Sequence, residues 1–133
     1  MRLYGVGSAG LRCLTLIVAL VVSSSVSASG LSNKWRIEVS EGANSDGIIS
    51  FLISPETSDN IQVDVAIPKG TGENHVARII KKTMQQTLPK KRFHVERDDG
   101  EDVLVKKKHH QARFGLTLVS NSVKSVRINI DKE

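Results

Sequence analysis

The stretch Thr71–Pro89, T-G-E-N-H-V-A-R-I-I-K-K-T-M-Q-Q-T-L-P, decides the fold. Val76, Ile80, Met84 and Leu88 recur at every fourth position, and Ala77 and Ile79 widen the stripe. That spacing predicts an amphipathic helix from Glu73 to Leu88 with one face in the core. Arg78, Lys81, Lys82, Gln85 and Gln86 fall toward the other side. Thr71 is placed to cap the first turn, and Glu73 to meet the positive end of the helix dipole. Pro89 forbids continuation, and Lys90, Lys91 and Arg92 follow at the negative end. The sequence predicts no other helix in the folded part of the chain.

Strand patterns flank this helix on both sides. Trp35, Ile37 and Val39 alternate with polar residues, as in a half-buried strand. Glu41 to Gly47 carries turn chemistry, and Ile48 to Ser54 then runs almost continuously apolar until Pro55. A run apolar on both sides reads as a central strand covered on both faces, or covered in part by a partner. Ile61, Val63, Val65 and Ile67 form a third alternating run, stopped by Pro68. Short loops between the three runs predict an antiparallel meander.

After the helix, Phe93 and Val95 lead into Asp98-Asp99-Gly100-Glu101, and Asp102 to Lys106 returns. This is a hairpin with Gly100 in its turn. Lys107 to Gln111 is a polar link. Phe114, Leu116 and Leu118 mark a sixth strand, and Val126, Ile128 and Ile130 a seventh. The fold class that follows is α+β: a mainly antiparallel sheet in β-β-β-α-β-β-β-β order with the helix packed on it.

The N-terminus reads as a targeting segment. Arg2 and Arg12 precede the apolar run Cys13 to Val22, serines follow, and Val26-Ser27-Ala28 offers small residues for cleavage. Residues 1–28 are therefore expected to be a signal peptide, and residues 29–133 a single small domain, periplasmic or secreted. A spanning helix needs about 20 apolar residues, so the run is too short for a retained anchor. Arg12 stands where a lipoprotein signal needs a small residue before Cys13. Cleavage would remove Arg2, Arg12 and the sole cysteine, leaving 17 Lys and Arg against 14 Asp and Glu. With no cysteine, the exported domain must be stable without disulfides. Ser29 to Lys34 reads as a flexible polar leader.

Charge placement supplies the candidate site. Lys90, Lys91 and Arg92 open one arm of the hairpin, and Lys106, Lys107 and Lys108 close the other. Pairing the arms brings these ends together, with Arg113 close by and Asp98, Asp99, Glu101 and Asp102 at the opposite tip. Such a cluster attracts anionic material, although a run of like charge is also what a merely solubilising end looks like.

Other chemistries find less support. Nucleic-acid binding needs exposed aromatics, yet Trp35, Phe51, Phe93 and Phe114 all fall on predicted core faces and Tyr4 lies in the leader. His109 and His110 point to opposite faces of an extended chain among lysines, so no metal site is expected there, nor with His75 or His94. Asp98 to Asp102 lacks the alternating ligands of a calcium loop. No G-x-S-x-G elbow, phosphate loop or isolated carboxylate pair appears, so neither catalysis nor a cofactor is expected.

The sequence thus predicts a non-catalytic exported binding protein that engages an anionic envelope component or an acidic protein surface through Lys90, Lys91, Arg92, Lys106, Lys107, Lys108 and Arg113. The alternative is an assembly subunit of the cell envelope that pairs strand edges, with Ile48 to Ile53 as the place of pairing.

Overall fold

The computed structural model describes residues 30–133. The expected signal peptide, residues 1–28, lies outside them. Among the described residues no helix is long and apolar enough to cross a membrane.

Helix α1 spans Glu73–Thr87 and buries Val76, Ala77, Ile80 and Met84, the stripe that the four-residue spacing predicts. Its N-cap is Gly72 rather than Thr71. The Thr71 hydroxyl is already engaged, donating to the Pro68 carbonyl at 2.7 Å. Leu88 ends the helix by donating its N–H to the Met84 carbonyl at 2.8 Å, just before Pro89.

Seven strands surround the helix, in the expected order: β1 Lys34–Ser40, β2 Gly47–Pro55, β3 Ile61–Ile67, then β4 Phe93–Asp98, β5 Asp102–Lys107, β6 Phe114–Asn121 and β7 Arg127–Lys132. They form two antiparallel sheets rather than one, ordered β4-β5-β1-β7 and β3-β2-β6. The predicted meander is therefore wrong at its first step: β1 pairs with β5 and β7, and β2 with β3 and β6.

The reason lies in the segment between β1 and β2. Buried Ala43 bonds across to the helix lead-in, its N–H reaching the Thr71 carbonyl and its carbonyl accepting from Gly70, both at 2.8 Å. The Asn44 N–H donates to the Lys124 carbonyl at 3.0 Å. With its backbone committed to other loops, this segment carries the chain from one sheet to the other instead of folding β2 back on β1.

The core fills the space between the sheets and α1, with Trp35, Ile37, Phe51, Ile80, Phe114 and Leu116 among its residues. Trp35 donates its indole N–H to the Phe114 carbonyl at 2.8 Å, and Phe93 meets Phe114 edge to face at 5.1 Å, tying the two sheets together. Ser32 pairs with Phe114 through both backbone bonds, so the polar leader is pinned from there on.

β2 is the central strand of its sheet, as its apolar run suggests, but one face is covered fully and the other only in part. Ile49, Phe51 and Ile53 are buried, whereas Ile48 is 49% exposed on the other side. Both of its edges are occupied by β3 and β6, so the Ile48–Ile53 segment cannot accept another strand.

Candidate functional site

The β4–β5 hairpin forms as the Asp-Gly signal predicts, with Asp98 opposite Asp102 and both Asp99 and Gly100 at positive φ in the turn. The register then places His94 opposite Lys106 and Phe93 opposite Lys107. One further bond, from the Lys108 N–H to the Arg92 carbonyl at 2.8 Å, extends the ladder to the open end. The Lys107 N–H donates to the Asn33 carbonyl at 2.9 Å, which fixes the start of the basic segment against the chain before β1.

The sequence predicts seven cations meeting at this end, and the structure sorts them into different settings. Lys106 is paired with Glu96 at 2.6 Å, and Arg113 with Glu56 at 3.1 Å. Arg92 turns toward the β2–β3 loop, donating to the Ser58 hydroxyl at 2.9 Å and lying over the Phe93 ring. There it borders a small hollow of about 140 Å³ with Pro55, Thr57, Ser58 and Gln111. Lys90, Lys91, Arg92, Lys107 and Lys108 have no carboxylate partner among the described residues.

Lys90 and Lys108 converge on one feature, a cleft of about 360 Å³ between the last turns of α1 and the edge of β4. Met84, Leu88, Phe93 and Val95 make its floor, and Gln85, Lys90, His94 and Lys108 its polar rim. Two unneutralised ammonium groups beside a partly enclosed apolar floor favour an anionic occupant. Gln85 has a second role, since its amide donates to the Val95 carbonyl at 2.9 Å. That carbonyl belongs to the outer edge of β4, which no strand among the described residues covers.

Electrostatics along the exposed face of this sheet are more balanced than composition suggests. Glu96 sits within 3.0 Å of His94 as well as bonding Lys106. Its carboxyl is held below the usual range, first by the Lys106 hydrogen bond and then by His94. At the acidic end, Arg36 bonds Asp102, Asp98 at 3.2 Å and Glu133 at 2.8 Å, and Lys34 lies 3.7 Å from Glu133. The Glu133 carboxyl is depressed by its bond from Arg36, and Arg36 is pushed above its already high value by Glu133 and Asp102. This node ties β1, β4 and β5 to the segment after β7. It pairs Asp98 and Asp102 at the acidic tip, while Asp99 and Glu101 there have no ion-pair partner among the described residues. Leu104 lies outside the main core yet is only 4% exposed, flanked on neighbouring strands by Glu96 and Arg36. The hydrocarbon stems of such charged residues cover it.

Three features escape the sequence reading: Gln85, His94 as a rim residue, and the carboxylates that neutralise Lys106 and Arg113. The Glu96–Lys106 pair was accessible, because the hairpin register alone places Glu96 one step diagonally from Lys106. The Arg113–Glu56 pair joins residues far apart in sequence and has no local signal. His109 and His110 lie in an exposed turn with their rings 3.9 Å apart and tilted by 55°, not on opposite faces of an extended chain as expected. Among the described residues no three His, Cys, Asp or Glu side chains form a group that could hold a metal ion. No protein-family model matches this chain, and no curated protein or solved structure compared with it does either.

Proposed function

We propose that this chain is a non-catalytic, exported binding protein whose site is the basic open end of the β4–β5 hairpin. Export rests on the charged start, apolar run and small-residue end of residues 1–28. The observation that carries the binding role is the gathering of unpaired cations at the open end of one hairpin. Lys90, Lys91, Arg92, Lys107 and Lys108 stay without carboxylate partners among the described residues, while Lys106 and Arg113 beside them are paired. Two of these five, Lys90 and Lys108, flank a cleft. The partner is an anionic envelope component or an acidic protein surface.

The test is a charge reversal. Lys106→Glu, Lys107→Glu and Lys108→Glu together should remove retention on immobilised dextran sulfate, and salt should release the parent protein progressively. Retention that survives the triple change, or that salt does not affect, would contradict the reading.

The assembly-subunit reading keeps one observation in its favour. Ile48 and Val119 are 49% and 47% exposed on the three-stranded sheet. Ile48 borders an open hollow of about 440 Å³ with Ala66, Ile67 and Pro68. Such a contact would be made through the face of that sheet, since β2 has no free edge.

A further inference from the structure

The cleft at the basic end is also a strand edge, and the two properties together specify its occupant. In an antiparallel ladder, alternate residues direct both backbone groups to the partner strand or both away from it. The Lys108 N–H bonds the Arg92 carbonyl, so the positions opposite β5 that exchange bonds are 92, 94 and 96. Phe93, Val95 and Arg97 therefore present their N–H and C=O groups to the open edge of β4. Two observations agree: the Phe93 N–H donates to the Pro89 carbonyl at 3.1 Å, and the Val95 carbonyl accepts from Gln85. The first is a turn in the main chain. The second is a long side chain standing where a neighbouring strand would be, and it can leave.

We propose that this cleft binds an extended acidic peptide segment, which adds as a strand to the edge of β4 with its carboxylates toward Lys90 and Lys108. The proposal rests on the anion-binding reading of the same site and gives it a partner class. A peptide N–H would replace the Gln85 amide on the Val95 carbonyl, and the Val95 N–H would donate in return. The edge from Phe93 to Arg97 is about 13 Å long at the usual strand rise. Side chains on one face of the peptide meet the apolar floor, and alternate acidic residues meet the rim.

Other anionic ligands fit less well. Base stacking lacks a platform among the described residues, since Trp35, Phe51, Phe93 and Phe114 are all buried. Among the described residues a bilayer lacks an anchor at this end, because the exposed large apolar residues, Ile48 and Val119, belong to the other sheet. Neither a lipid headgroup nor a sulfated polymer uses the backbone edge.

The test separates backbone pairing from charge. The purified protein is titrated with a fluorescent octapeptide of alternating Glu and Val, and with two N-methylated forms, one modified at every Val and one at every Glu. N–H groups of alternate residues lie on opposite edges of an extended chain, so only one methylated form should lose binding, by tenfold or more, while the other binds like the parent peptide. Lys90→Glu with Lys108→Glu should weaken the parent peptide by about tenfold. Gln85→Ala should tighten it up to about fivefold, the factor for one hydrogen bond that no longer has to be displaced. Equal binding by all three peptides, or equal loss by both methylated forms, would overturn strand addition. Failure of the parent peptide while dextran sulfate still binds in a salt-sensitive way would also overturn it and leave the anion-binding reading standing. Failure of both probes would remove both.

Discussion

Arg36 shows how much a single residue of this chain does that composition conceals. It gathers Asp98, Asp102 and Glu133 around one guanidinium, and its side chain is only 22% exposed. Replacing it by Met would leave Asp102, itself buried, facing other carboxylates. The expected loss is about 2 kcal/mol of stability near neutral pH, read from denaturant unfolding. A pH dependence follows from this node and from the separate pairing of Glu96 with Lys106 and His94. Glu133 and Glu96 both titrate below their ordinary value of 4.5 in the folded chain. A depressed carboxylate contributes stability that is complete above its unfolded value and is lost as pH falls through its folded one. The unfolding midpoint should therefore hold above pH 4.5 and fall below it, with a shallower fall in Arg36→Met. Parallel curves for the two proteins would show that the node does not carry the effect. None of this is visible in the sequence, where Arg36 is one polar position in an alternating strand.

At the level of elements, local signals were reliable and long-range pairings were not. The helix was legible because its stripe repeats within one continuous segment, and the β4–β5 hairpin because Asp99 and Gly100 favour a tight turn. The split into two sheets was not, because it depends on Ala43 bonding to Gly70 and Thr71 rather than within its own loop. Turn residues say that the chain bends, and not which strand it meets next. The site divides in the same way. Its cations could be read from the sequence, whereas Gln85 carried no signal, since a polar residue on the outer side of a helix has nothing local to distinguish it. The helix serves both sheets, contacting β1, β3, β4 and β5, so a cavity in its stripe should weaken the whole domain. Ile80→Ala is expected to cost about 2–5 kcal/mol and to lower the midpoint of tryptophan fluorescence, reporting Trp35, together with that of the amide signal. Separate transitions for the two probes would indicate that the sheets unfold independently.

For the molecule as a whole, the described residues divide into three surfaces with different characters. The outer face of the four-stranded sheet carries the ion pairs of Arg36, Lys34 and Glu96. The three-stranded sheet leaves Ile48 and Val119 in solvent. The open end of the hairpin combines unpaired lysines, a cleft and an uncovered strand edge. The third is the proposed binding surface. Backbone amide shifts of the isotope-labelled protein, followed while poly-glutamate is added, test that placement most directly. The largest changes should fall on Gln85, Lys90, Phe93 to Arg97 and Lys108. Changes centred instead on Ile48, Ala66 and Val119, or spread evenly over the surface lysines, would contradict it.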